Sequence, residues 1–392
     1  MRVLYDNIIF NLQRSGGISL YWSELIKRHL KNTDLSISFL EKNNGSISNM
    51  FRNRLQLPDT NIIRNPTFLP LKIERYLTLS TATRFDVFHS SYYRTTPNRV
   101  RDHVSIVTAH DFIYERYVKG IKRTVHSWQK EKALSKADGI ICVSQSTKSD
   151  LLTLYPELSS KPIKLIYNGV GEGYQPVDKT IAYIFLRKKY PVENPFVLYV
   201  GDRTASYKNF NLVIEVLKSR PRYNLVLVGG GNLSQHDFRL LETNLKGKYL
   251  HLQYIPEVEL NMFYNIAHCL VYISSCEGFG FPLLEAQKAG CPVIAFRNSS
   301  IPEVLSSNAS MIKELNTNIL KMRLDDLEGL PYRNTIIEEG LTNSEHFSWD
   351  KCYNETIDFY GELYEMRNNI KGNNRLAKKL KPRFEDLLAV KK

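Results

Sequence analysis

Two glutamates flank a glycine-rich turn in the stretch SSCEGFGFPLLEAQKAGCPVIAF, residues 274–296. Pro282 suits the first position of a helix, because its missing N–H would have no partner there, and Gly290 supplies a stop. Glu285 is then expected in the first helical turn, where the helix dipole favours a carboxylate. Glu277 precedes the helix and lies on the loop itself. A carboxylate in that position can accept hydrogen bonds from sugar hydroxyls or stabilise positive charge at an anomeric carbon.

Three glycine turns follow strand-like runs in the second half: Gly201 after FVLYV, Gly229–Gly231 after LVLV, and Gly278–Gly280 after VYISSCE. Arg203 and Lys208 lie just behind the first turn. The carboxyl ends of parallel strands meet at one edge of a sheet, so these loops can converge there. Two cations, glycine turns and a helix N-terminus at one edge predict a cradle for a diphosphate. For the two cations alone, an ordinary solvated surface is the simpler alternative.

Strand-like and helical stretches alternate along the whole chain, which is typical of a parallel α/β architecture. The apolar runs predict strands at residues 2–5, 35–40, 87–89, 104–108, 139–143, 163–167, 196–200, 225–228, 270–273 and 293–296. A chain of 392 residues is long enough for two domains, and the glycine-rich stretch 167–180 is the predicted linker. No complete G-x-G-x-x-G opens either half, which counts against a dinucleotide oxidoreductase.

The formal net charge of +13 favours an anionic partner: nucleic acid, an anionic membrane or an anionic small substrate. Residues 367–392 carry nine Lys and Arg against Glu385 and Asp386, and they form either a solvated tail or a membrane contact. The segment 112–136 mixes aromatic residues with seven Lys and Arg. That composition suits a membrane interface, a lipid-diphosphate acceptor or a sugar-binding platform.

Five cysteines without metal-ligand spacing predict reduced thiols. The first residues contain no apolar run of the signal-peptide type, and no stretch is apolar enough to span a membrane. We therefore expect a cytoplasmic protein, either free or peripheral on the inner face of the cytoplasmic membrane.

The stretch EGFGFPLLEA, with Glu277 and Glu285 at its acidic positions, resembles the E-x7-E element of the family 4 glycosyltransferases. Further stretches resemble landmarks of that family in its own order, from about residue 2 to 366: RSGGISLYW, TAHDFIY, ADGIICVSQSTKSDLL, IKLIYNGV, YVGDRTASYKN, SSIPEV and FSWDKC. Two regions depart from the pattern. The segment 304–347 lacks the usual Gly-Asp-Ala-Ala turn, and 367–392 matches no landmark.

This resemblance implies an α/β fold of the GT-B type, in which two Rossmann-like domains face each other across a cleft. Residues 1–172 then form the acceptor-side domain, and 350–366 pack back on it. Residues 173–349 form the domain that binds the nucleotide-sugar, and 367–392 form a basic tail.

The resemblance also implies roles for side chains. Glu285 holds ribose hydroxyls, and Glu277 holds hydroxyls of the donor sugar. Arg203 and Lys208 neutralise the diphosphate. His110 lies near the reacting centre, where it positions the donor sugar or stabilises charge; the alternative is a hydrogen-bonded histidine at a strand end without a role. The expected catalytic residues are therefore Glu277, His110, Arg203 and Lys208.

The glycine loops are assigned to the donor by the same resemblance. Gly16 and Gly17 let the backbone of the first domain approach the diphosphate. Backbone N–H groups of the second domain meet the sugar or the phosphate, and they belong to Gly278, Phe279, Gly280 and Phe281.

The implied activity is a retaining glycosyl transfer from a nucleotide-sugar, on one face of the sugar, with the leaving phosphate assisting deprotonation of the acceptor. The chain resembles bacterial polysaccharide and O-antigen transferases, many of them mannosyltransferases. We therefore expect a hexosyltransferase that uses GDP-mannose and a saccharide or lipid-linked saccharide acceptor. Metal-dependent sugar transferases commonly carry an Asp-x-Asp motif, which this chain lacks, so we expect neither a metal nor another cofactor.

Three alternatives stay open. A donor with another nucleotide, such as a UDP-sugar, is compatible with the same motifs. A sugar-nucleotide epimerase of the GT-B fold shares the architecture, although the intact E-x7-E element and the His110 segment argue against it. A basic nucleic-acid-binding protein is less favoured because the sequence contains no recognised binding motif, and we expect no nucleic-acid partner.

Overall fold

A computed structural model describes residues 1–32, 34–42, 48–65, 69–79, 81–96, 102–193, 195–306 and 311–389, with the backbone alone at 65 and 370–389. The strands of this described chain are β1 Arg2–Asp6, β2 Ser36–Lys42, β3 Ile62–Asn65, β4 Val87–Ser90, β5 Val104–Ala109, β6 Gly139–Cys142, β7 Ile163–Leu165, β8 Phe196–Val200, β9 Asn224–Val228, β10 Tyr249–Leu252, β11 Cys269–Tyr272, β12 Val293–Phe296 and β13 Met311–Ile312. Its helices are α1 Ile9–Leu12, α2 Gly17–His29, α3 Leu71–Glu74, α4 Ile113–Tyr117, α5 Ile121–Lys136, α6 Gln145–Leu154, α7 Lys179–Lys189, α8 Phe210–Lys218, α9 Gln235–Leu245, α10 Glu257–Ile266, α11 Phe281–Lys288, α12 Ile301–Leu305, α13 Thr317–Asp326, α14 Leu330–Ser344 and α15 Trp349–Ala389.

The strands form two parallel sheets. The first has the order β3-β2-β1-β4-β5-β6-β7, and the second has the order β10-β9-β8-β11-β12-β13. In each sheet the chain starts in the middle, moves outward over two strands and then continues on the other side. This order is typical of the Rossmann-like doubly wound fold, in which ligands bind at the carboxyl ends of the strands where the order reverses. The reversal points are β1 beside β4 and β8 beside β11.

Continuous apolar runs become the central strands, because helices cover both faces of a parallel sheet. Every residue of β4, β6 and β11 is buried. In β1 and β4, Leu4 pairs with Phe88, and a slip of one residue would turn every side chain to the opposite face. The pairing therefore also fixes where the loops after the strands begin.

The last helix, α15, returns to the first domain. Its residues Trp349, Tyr353 and Tyr360 pack in the core of the first sheet together with Trp22. The backbone of this helix runs on to Ala389, so the basic tail continues as helix up to that residue.

The predicted α/β architecture with two Rossmann-like domains is confirmed, and each predicted strand is present with ends that differ by at most two residues. Absent from the prediction are β3, β10 and β13. All four residues of β10 are only half-buried, and β13 has two residues. Neither carries the apolar run by which a central strand is identified.

Two further properties bear on the sequence analysis. The five cysteines are buried and unpaired. Among the described helices, none combines the length and the apolar content that crossing a bilayer requires.

Candidate active site

A cleft of about 830 Å³ opens between the carboxyl edges of the two sheets. Loops that follow β1, β5, β8, β9 and β11 line it, as the reversal points of the two sheets predict. The predicted site residues that line the cleft are Gly16, Gly17, His110, Lys208, Glu277, Gly278, Phe279, Gly280, Phe281 and Glu285. The tertiary structure thus brings together residues that are far apart in the chain, and of the predicted set only Arg203 is missing from the lining.

The glycine loop after β9 is one wall of the cleft. Gly229, Gly230 and Gly231 have φ angles of +83°, +72° and +72°, a region that side chains with a Cβ rarely adopt. A Cβ on Gly230 would also lie 2.6 Å from the carbonyl oxygen of Gly201. Glycine is therefore required here for both conformation and space, and the loops after β8 and β9 touch directly.

Arg203 supports that glycine loop from behind, contrary to the predicted diphosphate cradle. Its side chain is only 1% exposed and lies 3.4 Å from the Asp237 carboxylate. The guanidinium donates to the carbonyl oxygens of Gly229–Gly231 at 3.3 to 3.4 Å and of Asn232 at 2.7 Å. With its donors directed to these carbonyls, Arg203 does not face the cleft. The sequence pattern cannot distinguish this placement, because a strand-end arginine serves either role.

Lys208 and Glu277 form an ion pair inside the cleft. The Lys208 Nζ lies 2.5 Å from the Glu277 Oε1, and both side chains are largely buried. Of the two predicted cations, Lys208 is therefore the one that lies in the cleft. Across the described residues, no three His, Cys, Asp or Glu side chains gather into a group that could hold a metal ion.

Asn209, next to Lys208, ties the loops after β8 and β11 together. It has a left-handed backbone with φ +55°, which asparagine tolerates better than most residues. Its side-chain amide donates to the Ile273 carbonyl at 2.7 Å and to the Ser275 hydroxyl at 2.8 Å. Sequence reasoning missed this residue, although the Lys-Asn pair in YVGDRTASYKN was the available signal.

Two serines of the loop after β12 hold the Glu277 loop in place. The Glu277 N–H donates to the Ser299 hydroxyl at 2.8 Å. The Ser300 hydroxyl lies 3.0 Å from the carbonyl oxygen of Glu277 and 3.1 Å from that of Phe279. These contacts explain why the SSIPEV stretch accompanies the glutamate loop, a link that sequence analysis did not assign.

The Gly278 loop touches the first domain across the cleft. A Cβ on Gly278 would overlap the carbonyl oxygen of His110, so glycine is needed for the approach. The Thr147 hydroxyl donates to the Gly278 carbonyl at 3.3 Å. The Glu277 carboxylate is thereby carried next to the segment that contains His110.

The N-terminus of α2 faces the same space from the first domain. Gly16, Gly17 and Ile18 line the cleft, and the first N–H groups of a helix have no partner within the helix. A Cβ on Gly17 would lie 3.0 Å from the ring of Phe281. The positive end of the helix dipole thus faces the Glu277 loop, an arrangement that suits an anion.

His110 follows β5 and is held as a neutral imidazole. Burial lowers the pKa of His110 to about 4; the Asp111 carboxylate acts in the opposite direction, and the Lys130 ammonium lowers it further. The ring packs edge-on against Tyr21 at 5.0 Å. At neutral pH the imidazole therefore offers one hydrogen-bond donor and one acceptor and no charge.

Lys130 fixes the backbone next to His110, a role that sequence reasoning missed. Its ammonium group is fully buried and pairs with Glu115 at 2.9 Å. It also donates to the Asp111 carbonyl at 2.8 Å. A buried charge is tolerated only when paired and hydrogen-bonded, so this pair is a structural support beneath the His-Asp segment.

Glu285 lies in the second turn of α11, not in the first, because the helix already begins at Phe281 after Gly280 in a left-handed conformation. The Tyr264 hydroxyl donates to its carboxylate at 3.0 Å. Burial raises the pKa of Glu285 to about 7, the Tyr264 hydrogen bond opposes the rise, and the Glu257 carboxylate adds to it. Glu285 thus changes charge near neutral pH.

Glu303 joins the two domains beside the cleft. Its carboxylate accepts hydrogen bonds from the backbone N–H groups of Gln145 at 2.7 Å and Ser146 at 2.9 Å, at the start of α6. The Tyr167 hydroxyl donates to it at 2.9 Å. A carboxylate at a helix N-terminus is favoured by the dipole, so this contact stabilises the arrangement in which both domains face the cleft.

Two family profiles match the chain. "Glycosyltransferase Family 4" matches residues 16–172, and "Glycosyl transferases group 1" matches residues 184–340. Together they cover most of both Rossmann-like domains.

Comparisons with individual proteins agree with these two family profiles. The chain is 27% identical over 271 residues to the O-antigen chain mannosyltransferase B of Escherichia coli, covering 66% of this chain and 68% of that protein. It is 24% identical over 281 residues to the serotype-specific mannosyltransferase WbdA of E. coli, but this match covers 68% of this chain and only 34% of that protein. The fold is similar to the crystal structure of Anabaena Alr3699/HepE in complex with UDP-glucose, with a TM-score of 0.70 and 16% sequence identity. This match covers 92% of this chain and all of that chain. The chain belongs to the family 4 glycosyltransferases and has their GT-B fold.

Proposed function

We propose that the enzyme is a retaining hexosyltransferase that moves mannose from GDP-mannose to a saccharide or lipid-linked saccharide acceptor in bacterial surface polysaccharide synthesis, without a metal. The observation that carries the proposal is the Lys208–Glu277 pair, which lies in the cleft with the N-terminus of α2. The names of the E. coli relatives, both mannosyltransferases, support the donor sugar.

The diphosphate is placed between Lys208 and the start of α2 in this proposal. The lysine supplies a full positive charge, and the N–H groups at Gly16 and Gly17 supply oriented donors. When the bond between the anomeric carbon and the phosphate oxygen breaks, negative charge develops on the leaving group. Fixed donors aimed at developing charge lower the barrier, since they need no reorganisation during the reaction.

The donor sugar is assigned to the Glu277 loop. The Glu277 carboxylate accepts hydrogen bonds from sugar hydroxyls, and the neutral His110 ring donates one. As the anomeric carbon–phosphate bond breaks, an acceptor hydroxyl attacks from the same face and forms the new glycosidic bond. The departing phosphate oxygen takes the proton of that hydroxyl, so no side chain has to act as a base.

The nucleoside is assigned to the far end of the cleft, where Glu285 accepts hydrogen bonds from the ribose. Glu257 also lines the cleft and is close enough to Glu285 to raise its pKa. A carboxylate is an acceptor only. It suits guanine, whose ring N–H and amino group are adjacent donors, better than uracil, whose N–H stands between two carbonyl oxygens. This supports GDP as the nucleotide.

A UDP-sugar is the second candidate donor, because the similar Anabaena structure is a complex with UDP-glucose. The deciding experiment compares thermal shifts with GDP, UDP, ADP and dTDP and then measures transfer from the matching sugar donors. A ligand at 100 times its Kd should add about 2.7 kcal/mol of stability. We expect the largest shift with GDP and product only when an acceptor is present; product without acceptor would instead indicate an epimerase.

Donor affinity should fall as the pH drops below about 7. The raised pKa of Glu285 means that its carboxylate is ionised above that pH and protonated below it. Ribose hydroxyls donate to the ionised form, so the affinity for GDP is full above pH 7 and falls by up to about tenfold per pH unit below it. Calorimetry over this range measures the effect.

The control for this prediction is Glu285→Gln, whose amide does not titrate. Phosphate groups of GDP change protonation equally with both proteins, so the difference between the two pH profiles isolates Glu285. Identical profiles for the wild type and Glu285→Gln would contradict the ribose assignment.

A further inference from the structure

The outward stripe of α5 is apolar. Ile121, Val125 and Trp128 follow each other at helical spacing and are exposed by 80%, 36% and 51%. On an ordinary surface helix, apolar residues at this spacing face the core. Here they face away from it, and we call these three residues the outer stripe of α5.

The side of α5 that faces the protein carries three polar residues opposite this stripe, and Ala133 and Leu134 are buried further along the helix. His126, Gln129 and Lys130 are all buried. The Tyr92 hydroxyl and a ring nitrogen of His126 lie 2.8 Å apart, and Gln129 donates to the Arg75 carbonyl at 2.6 Å. Because this inward side is committed to specific hydrogen bonds and to the Lys130 ion pair, the helix cannot rotate to bury its apolar stripe.

Cations surround the outer stripe. The Lys132 ammonium lies 4.8 Å from the Trp128 ring centre, and between residues 119 and 136 the one carboxylate is Glu131. The cations of this segment that reach its surface are Lys119, Lys122, Arg123, Lys132 and Lys136. An apolar stripe with Trp, flanked by lysine and arginine, is the composition that lies in the interface of an anionic bilayer.

The neighbouring α3 segment extends the surface. Arg75, which accepts the Gln129 hydrogen bond, directly follows α3. Ile73 and Leu77 of this segment are exposed, as is Lys72. The apolar and basic character is therefore shared by two adjacent elements of the first domain.

The outer stripe begins shortly after a residue that contacts the second domain beside the Glu277 loop. Tyr117, at the end of α4 and four residues before α5, contacts the second domain: its ring centre lies 5.2 Å from that of Tyr207, and its hydroxyl is 3.4 Å from the Ser275 carbonyl. Ser275 belongs to the loop that carries Glu277. A surface that binds α5 is thus brought next to the cleft mouth.

We propose that the outer stripe of α5 and its flanking cations dock the enzyme on an anionic lipid bilayer. Docking there presents the cleft mouth to an acceptor anchored in the same bilayer. The inference deepens the proposed function, which includes a lipid-linked acceptor, but membrane binding itself involves no sugar donor. It also assigns the docking to the first domain, whereas the basic tail is a separate candidate.

The test uses vesicles of phosphatidylglycerol and phosphatidylcholine, with pure phosphatidylcholine vesicles as the neutral comparison. The chain has three tryptophans, of which Trp22 and Trp349 are buried and Trp128 is exposed. We expect sedimentation with the anionic vesicles at low salt, together with a blue shift of tryptophan emission that Trp128→Phe abolishes. Ile121→Ser with Val125→Ser should weaken vesicle partitioning by about tenfold or more.

A matched control comes from α7, where Ile181 and Ile184 are also exposed. Ile181→Ser with Ile184→Ser changes the same chemistry on the second domain and should leave partitioning unchanged. Failure to bind anionic vesicles, binding without an emission shift, or a loss confined to the α7 variant or to deletion of 367–392 would each overturn the proposal. Transfer to a soluble acceptor should survive the α5 substitutions. A negative vesicle result would therefore overturn the docking proposal without contradicting the transferase assignment, which the donor and acceptor assays test separately.

Discussion

Replacing Glu277 with alanine should lower the transfer rate by about 10²–10³-fold, the cost of removing one preorganised group at a reacting centre, while GDP binding stays nearly unchanged. Glu277 is held by Ser299 and Ser300 on a loop that touches the His110 segment. In the proposed site it contacts the sugar and not the nucleotide. Its loss also releases Lys208 from the ion pair, which leaves that cation available to the diphosphate.

The measurement combines kcat and KM for transfer with calorimetric binding of GDP. Glu285→Ala is the matched control, because it removes a carboxylate from the same helix–loop unit but from the proposed ribose site. It should weaken GDP binding and lower the rate less at saturating donor. If Glu277→Ala weakens GDP binding while Glu285→Ala leaves it intact, the assignment of the two carboxylates is reversed.

Transfer should persist in excess EDTA and should depend on Lys208. Charge-assisted hydrogen bonds contribute about 1.5–3 kcal/mol each, and in the proposed site the lysine acts together with the N–H groups at the start of α2. Lys208→Ala should therefore lower kcat/KM by about 10²–10³-fold. Activity that disappears with EDTA and returns with magnesium or manganese would refute the metal-free mechanism.

The variant Arg203→Ala distinguishes the role of Arg203, which supports the glycine loop, from the role of Lys208, which lies in the cleft. The Arg203 guanidinium satisfies four carbonyl oxygens behind the glycine loop, and leaving buried acceptors unpaired costs about 1–3 kcal/mol. This variant should lower the melting temperature and raise KM for the donor. Lys208→Ala leaves a single carboxylate, that of Glu277, without its ion pair, so it should lower the melting temperature less than Arg203→Ala does. Equal stability of the two variants would contradict the supporting role of Arg203.

The local signals in the sequence were sufficient for the architecture. Apolar runs of three to six residues identified the central strands, since both faces of those strands are buried. Pro282 and Gly290 indicated the two ends of α11: Pro282 is the second residue of the helix, and Gly290 follows its end. The strand–loop–helix pattern then placed the Glu277 loop at a carboxyl edge. Half-buried edge strands such as β10 were not predicted, because their composition is not distinct from that of a loop.

Only the tertiary structure determines which groups a charged side chain contacts. Arg203 and Lys208 are both strand-end cations in sequence, yet one supports the loop after β9 and the other pairs with Glu277. The difference arises from the position of another strand's carbonyl groups, which no local pattern contains. The Glu303 contact between the domains and the Lys130 support beneath His110 are hidden from the sequence for the same reason.

The orientation of α5 is the clearest case. Helical periodicity by itself assigns Ile121, Val125 and Trp128 to a buried face. In the folded chain, hydrogen bonds to groups on other elements hold His126 and Gln129 inward, so the apolar stripe faces outward. The sequence by itself determines which segments become strands and helices, because that depends on neighbours along the chain. Which face each helix buries, and which cation reaches the cleft, depends on partners that only the folded chain brings near.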